Sequence, residues 1–356
     1  MGRSAPATET GGVHGFPAAL TSFIGRDGLV REVAGLLEEY RLVTVTGPGG
    51  TGKTRLADQV ARRVAGRFAD GTWLAELAPV QDPAAVGAVV AAALGVRDQP
   101  GVPAAGVLAR VLARQQLLLV LDNCEHVIGA AAQLCAGLLA ACDDLRVLAT
   151  SREPLAVAGE ARYRLGPLTL PGADDAWDGD CEAVALFADR ARRADARFVL
   201  DGQAGPAVAR IVARLDGMPL AIELAAARVE ALGVTGLLDR LDDRFAVLAS
   251  PDRLAPVRQR SLAATVAWSY ELLDEDERRV FRHLCVFPGP FTLEAAGAVA
   301  GVGAEAARLR LVARLDGMPL AIELAAAQVE GLGVGQLLDR LDDRFALLAG
   351  ADRLAP

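Results

Sequence analysis

The chain is 356 residues long, 52% hydrophobic but only 4% aromatic, a size that allows about two or three domains of ~100–200 residues each, packed mainly by small aliphatic side chains on helices. Its net charge of −8 argues against broad electrostatic binding to DNA or to acidic membranes. The cysteines Cys124, Cys135, Cys142, Cys181 and Cys285 are odd in number and lack C-x2-C pairing, which argues against a disulfide framework or a zinc site and leaves buried free thiols.

Residues 1–15 are polar and glycine-containing, with no apolar core of a secretory signal. A flexible tail and a cytoplasmic location are expected. The longest apolar stretches, such as Val86 to Val96, fall short of the ~20 residues that span a bilayer, so no membrane segment is expected. Arg41 to Thr46 is a β-branched run that predicts a buried parallel strand, and Arg55 to Phe68 carries apolar residues at helical spacing.

Between them stands Gly47-Pro48-Gly49-Gly50-Thr51-Gly52-Lys53-Thr54, a complete G-x4-G-K-T phosphate-binding loop. Glycines let backbone amides converge on an anion, and Thr54 offers a hydroxyl to Mg²⁺ at a helix N-terminus. Lys53 is the only lysine, against 36 arginines (37 Lys+Arg less this one). A slim ammonium can reach the β- and γ-phosphates inside the loop where a planar guanidinium has little room, so Lys53 reads as chemically required. The loop therefore predicts binding of ATP or ADP with Mg²⁺.

Gln116 to Asp122 is a continuous apolar run ending in a carboxylate, the Walker B pattern of a buried strand that delivers an acid to its C-terminal edge. Asp122 would hold the Mg²⁺ shell opposite Thr54. Asn123-Cys124-Glu125-His126 follows. Glu125 is the first choice to orient a water for hydrolysis, with His126 weaker; both equally suit the first turn of a helix, where the dipole favours an acid. Leu145 to Arg152 predicts a third strand with polar residues at its end, and Arg152 could report the γ-phosphate or be a surface arginine.

Five motifs then stand in one order: Phe16 to Asp27, the phosphate loop, Leu119 to His126, Ala149 to Leu155, and Leu215 to Ala226. From about Phe16 to Ala300 the sequence resembles the signal-transduction ATPases with numerous domains, in the NB-ARC branch, as found in bacterial AfsR-like and LuxR-like transcriptional regulators. The resemblance implies an α/β fold: a P-loop NTPase parallel sheet, then an all-α helical lid and a partial winged helix, with nucleotide held between them. Phe23, Ile24, Gly25 and Arg26 match the segment beside adenine and ribose, and Pro219 matches the lid proline that packs on the base. With the loop residues, Arg55 completes the expected cofactor-binding set. Read on its own, Gly217-Met218-Pro219 is a turn with proline near the first position of a helix.

Residues 212–256 recur as 312–356, with 38 of 45 positions identical and the changes at 228, 231, 235, 236, 247, 250 and 251. The expected organisation is a tail (1–15), a P-loop domain (16–170), a helical lid (171–256), a truncated winged helix (257–301) and a second copy of the lid segment (302–356). Pro319 has no phosphate loop of its own, and the winged-helix contact that holds ADP in relatives has no match here. The repeat reads as a recombination or assembly product in preference to a dimerisation element, since solenoid arrays need three or more repeats, although the spare lid offers a surface for self-association.

The expected function is an ATP/ADP-binding switch ATPase of a transcriptional or signalling regulator, with slow Mg-dependent hydrolysis and an output domain or partner outside this chain. An inactive fragment and a winged-helix DNA-binding regulator are the alternatives. Arg190, Arg192, Arg193 and Arg197 read as a solvated helix face; Cys135 and Cys142 read as packed on one helical face.

Overall fold

A computed structural model describes residues 12–97, 99, 101–172, 181–241 and 248, with Glu275 and Arg278 beyond them. The chain divides into two compact units, Met1–Arg260 and Ser261–Pro356. Apart from the pair Glu275 and Arg278, whose side chains approach to 3.9 Å, every described residue belongs to the first. Apart from that pair, the expected winged-helix segment (257–301) lies outside the described residues, as do the second lid copy with Pro319 and residues 1–11 of the tail.

Among the described residues six parallel strands form one sheet: β1 (Val13–His14), β2 (Leu42–Thr46), β3 (Thr72–Glu76), β4 (Leu118–Asp122), β5 (Arg146–Ser151) and β6 (Glu160–Arg164). Their spatial order is β1-β3-β4-β5-β2-β6. Alternate residues of each strand feed opposite faces, as the period of two requires. Leu119, Leu121, Val147 and Ala149 enter one core; Val43, Val45, Leu118, Val120 and Leu148 enter the other. Helices α1 (Asp27–Glu39) and α2 (Lys53–Val64) cover the second face, and α3 (Val86–Ala93), α4 (Ala104–Leu112) and α5 (Ile128–Ala141) cover the first. Burial on both faces explains why β4 carries an unbroken apolar run and why β2 and β5 lack a clean apolar–polar alternation. Truncating a fully buried strand residue such as Leu119 would cost about 2–5 kcal/mol.

The strands begin slightly later than the sequence suggests. Arg41 lies just before β2, and its guanidinium donates to the Leu139 carbonyl at 2.8 Å and to the Cys142 carbonyl, satisfying carbonyls that α5 leaves open at its C-terminus. Helix α2 likewise stops at Val64 and tightens into a 3-10 turn over Ala65–Arg67, leaving Phe68 beyond it. Cys142 is the residue that caps α5, and with Cys135, seven positions earlier, it is buried in the same core. Cys124, Cys135, Cys142 and Cys181 are all free and buried, and burial pushes the Cys135 thiol up to about 12.

Among the described residues four further helices follow the sheet: α6 (Glu182–Ala194), α7 (Ala204–Arg214), α8 (Pro219–Ala226) and α9 (Val229–Asp239). Pro219 occupies the first turn of α8, where its fixed φ and missing N–H are harmless. Among the described residues no helix is long and apolar enough to cross a membrane.

Candidate functional site

Strand β2 ends at Thr46 and the chain turns at once through Gly47 (φ 149°), Gly50 (φ 83°) and Gly52 (φ 90°) into α2. A Cβ on Gly47 would stand 2.6 Å from the Leu165 carbonyl oxygen, so only glycine lets the loop leave the sheet here. Thr51 is fully buried and its hydroxyl donates to the Pro48 carbonyl at 2.9 Å, bracing the loop from within. Lys53, only 8% exposed, opens α2 and folds back over the loop. Its ammonium donates to the carbonyls of Gly47 at 2.6 Å and Pro48 at 2.9 Å. A cation at a glycine-lined helix N-terminus is a site for a phosphate.

Beneath the loop lies Asp122, 1% exposed. Its Oδ1 accepts from the Thr54 hydroxyl at 2.8 Å and from the Thr150 hydroxyl at 2.6 Å. Thr150 can do this because β5 lies between β2 and β4, and Thr150 also accepts from the Asn123 N–H at 2.9 Å. Burial raises the carboxyl above its ordinary value, and the two hydroxyls pull it partly back. An octahedral Mg²⁺ places neighbouring oxygen ligands about 3 Å apart, and the Thr54 and Asp122 oxygens meet that spacing. Among the described residues no group of three or more His, Cys, Asp or Glu gathers to hold a metal alone. A metal here would therefore complete its shell with phosphate oxygens and water.

Past β4, Asn123 turns left-handed (φ 68°) and Cys124–His126 forms a single 3-10 turn ahead of α5. That turn buries the Glu125 side chain, 4% exposed, against Arg152, 9% exposed, with Nε to Oε1 at 3.4 Å. Glu125 Oε2 is also buried and accepts no hydrogen bond. Glu125 and Arg152, read separately in the sequence, are thus one ion pair beside Asp122, and neither sits on a surface.

The remaining expected residues form a second wall. Arg26 is left-handed (φ 62°) and 5% exposed. Its guanidinium donates to the Thr51 carbonyl at 2.6 Å and to the Gly166 carbonyl at 2.8 Å, while its backbone N–H goes to Glu182 Oε1 at 2.6 Å. Desolvation lowers its pKa, with Glu182 and Tyr163 opposing. Phe23 packs partly buried against the α1–α2 core, and Ile24 is half-buried. Leu220 N–H donates to the Gly50 carbonyl at 3.2 Å, which brings the first turn of α8, and with it Pro219, to the loop. Between them runs Leu165 to Leu168, with Leu168 N–H on the Gly217 carbonyl at 2.9 Å.

Two arginine readings change. The Arg55 guanidinium points away from the loop, to the Thr21 and Ser22 carbonyls and to Glu223 of α8, so its side chain is not part of a phosphate cradle. Arg190 is 8% exposed and bonds Glu223 and Ser22. It is not on a solvated face, because α6 turns that residue toward α8. Arg193 reaches the Leu20 carbonyl and Ser22, whereas Arg197 stays 85% exposed beside Asp195. Sequence reasoning missed Thr150, Glu182 and Glu223. For Thr150 the signal was present, as a hydroxyl ending an apolar strand; for the two glutamates only tertiary placement reveals it.

The NB-ARC domain family matches residues 26–184. An uncharacterized protein of Mycobacterium tuberculosis is 42% identical over 280 residues, 79% of this chain and 69% of that protein. A putative HTH-type transcriptional regulator of the same organism is 45% identical over 265 residues, 74% of this chain but 29% of the regulator. Among solved structures, the Walker-type ATPase of Pyrococcus abyssi superposes with a TM-score of 0.53 at 13% identity, covering 85% of this chain and 96% of that one. At that identity the likeness is one of fold.

Proposed function

The chain belongs to the NB-ARC family of P-loop ATPases, and on that premise we propose that it is a regulatory switch that binds ATP or ADP with Mg²⁺ and hydrolyses ATP slowly. The observation that carries this reading is the convergence of Thr54 and Thr150 on the buried Asp122, directly below a loop whose one lysine caps its own carbonyls. Lys53 exchanges those carbonyls for the β- and γ-phosphates. Thr54 and Asp122 supply the protein oxygens for Mg²⁺, which when bound neutralises phosphate charge.

Glu125 is assigned the attacking water. Its Oε2 would accept the water proton, while Oε1 is held by Arg152. Arg152 is assigned the γ-phosphate, whose planar oxygens suit a guanidinium better than an ammonium. Glu125 is the single general base of this scheme, and Lys53, Arg152 and the metal share the phosphate charge. Phe23 to Arg26 and Pro219 are proposed to flank the base, since both segments meet the same loop: Arg26 bonds the Thr51 carbonyl and Leu220, next to Pro219, bonds the Gly50 carbonyl.

The regulatory role is supported by the HTH-type relative, of which this chain matches a 29% portion. Output through an attached domain or a partner protein, location in the cytoplasm and self-association are part of the same proposal. The test is to identify by chromatography the nucleotide released by heat from the purified chain and from Lys53→Ala. Nucleotide in the native chain alone supports the site; a native chain that neither carries nucleotide nor takes up Mg-ATP refutes it.

A further inference from the structure

Three charged side chains outside the phosphate loop meet at one oxygen. Glu223, in the second turn of α8, presents Oε1 to Arg55 Nη1 at 3.2 Å and to Arg190 Nε at 2.9 Å. Arg55 immediately follows Thr54 in the first turn of α2, and its second terminal nitrogen donates to the Thr21 and Ser22 carbonyls at 2.9 Å each. Arg190, on α6, holds the same stretch through the Ser22 carbonyl at 3.0 Å and the Ser22 hydroxyl at 3.2 Å, and pairs with Asp189.

One carboxylate thus joins α2, α6 and α8, and the chain that leads into Phe23 to Arg26 is clasped by the two arginines. Helix α8 reaches the nucleotide loop a second time through Leu220 N–H on the Gly50 carbonyl. Lifting α8 from the loop must break both contacts. Two guanidinium groups that share one oxygen also repel each other. Burial lowers the Arg55 pKa most, Glu223 raises it, and Arg190 lowers it again. Glu223 is therefore the counter-charge that lets the two cations stand together.

We propose that Glu223 is the ionic tie that holds helix α8 on the first turn of α2 through Arg55, and that this tie sets how long a nucleotide stays bound. Glu223 is a positioning residue in this scheme: it acts through Arg55 and α8, and touches neither phosphate nor base. The proposal rests on the nucleotide reading above for its consequence, but not for the tie itself.

Two measurements on the full chain decide it. The first is hydrogen exchange of residues 219–226 in the nucleotide-free protein. Glu223→Gln keeps the side-chain shape and removes the charge, and Arg55→Met removes the partner; both should raise exchange of α8 while melting temperature stays near native. The second is stopped-flow release of fluorescent mant-ADP in the presence of Mg²⁺. Because the pair is about one-third exposed (36% and 31%), each variant should release about three- to tenfold faster. The double variant should be no faster than the quicker single one, as expected for two residues sharing one contact. Native exchange and native release in both single variants overturn the proposal. So do single effects that multiply in the double variant, or a fast Glu223→Gln beside a native-like Arg55→Met, which would reduce Glu223 to a brace for α6. If the native chain binds no mant-ADP, the nucleotide reading falls, and the exchange result alone decides the tie.

Discussion

Thr150 donates its hydroxyl to Asp122 Oδ1 across 2.6 Å, the same oxygen that receives the Thr54 hydroxyl at 2.8 Å. One carboxylate oxygen is thus fixed from two sides, by the strand next to it and by the first turn of α2. The remaining lone pairs of Thr54 stay available to a metal because its proton is committed to the carboxylate. The pair of threonines holds the acid in one rotamer before any ligand arrives, which lowers the reorganisation that binding requires.

Lys53→Arg should bind nucleotide no better than Lys53→Ala. The ammonium lies between the Gly47 and Pro48 carbonyls, 2.6 and 2.9 Å away, a space for a point donor and not for a planar fork. Each variant should lose on the order of 100-fold in Mg-ATP affinity by titration calorimetry. Native-like binding by the arginine variant would show that charge alone suffices.

Asp122→Asn should stabilise the nucleotide-free chain. Burial lifts the Asp122 pKa above its ordinary 3.8, so the folded state holds this proton more tightly than the unfolded chain. The contribution is greatest below the ordinary value and is lost as pH rises through the raised one. At neutral pH the carboxylate is charged and buried, so removing the charge should raise the melting temperature and abolish the effect of Mg²⁺ on nucleotide affinity. A lower melting temperature in scanning fluorimetry would contradict this.

Arg152→Ala should be costly and Glu125→Gln should repair it. Removing one partner of a buried ion pair leaves an uncompensated charge, worth about 3–5 kcal/mol, and both side chains are below 10% exposed. The double variant should regain most of that stability in urea unfolding. Glu125→Gln alone should lower ATP turnover by about 10²–10⁴-fold with nucleotide affinity little changed. Undiminished phosphate release would remove Glu125 from the reaction.

Gly217→Ala and Gly95→Ala separate strain from collision. Both glycines have positive φ, 66° and 67°. A Cβ at 217 would lie 2.4 Å from the Leu168 carbonyl oxygen, whereas a Cβ at 95 meets nothing within 4 Å. The Gly95 variant should lose about 1 kcal/mol and the Gly217 variant at least about 2 kcal/mol more. Equal losses would mean that the Leu168 contact yields freely.

The phosphate loop, β2, β4 and β5 were legible because each is a contiguous pattern whose meaning does not depend on the rest of the chain. Their arrangement was not. Nothing in Leu145 to Arg152 says that this strand lies between the other two, so the Thr150–Asp122 contact was invisible although both residues had been read. The same limit explains Arg190 and Arg55. Helical spacing identifies which residues share a face, but not what is packed against it, and an arginine toward Glu223 looks like an arginine toward water. The edge strands β1, of two residues, and β6, which alternates charged and apolar residues, escaped notice because neither makes an apolar run. Glu125 and Arg152 were both named, but that they neutralise each other required the left-handed turn at Asn123.

The order of the strands also makes the phosphate loop a ruler. It departs from β2 and sets Thr54 down on Asp122 of β4, so it must stride across the end of β5, a span of two strand spacings or about 10 Å. One residue added or removed would turn Thr54 by about 100° around α2 and carry its hydroxyl off the carboxylate. The number of residues in the loop is therefore dictated by the width of a strand as well as by the shape of a phosphate. Insertions here should be rejected by the empty protein, before any nucleotide is asked to bind.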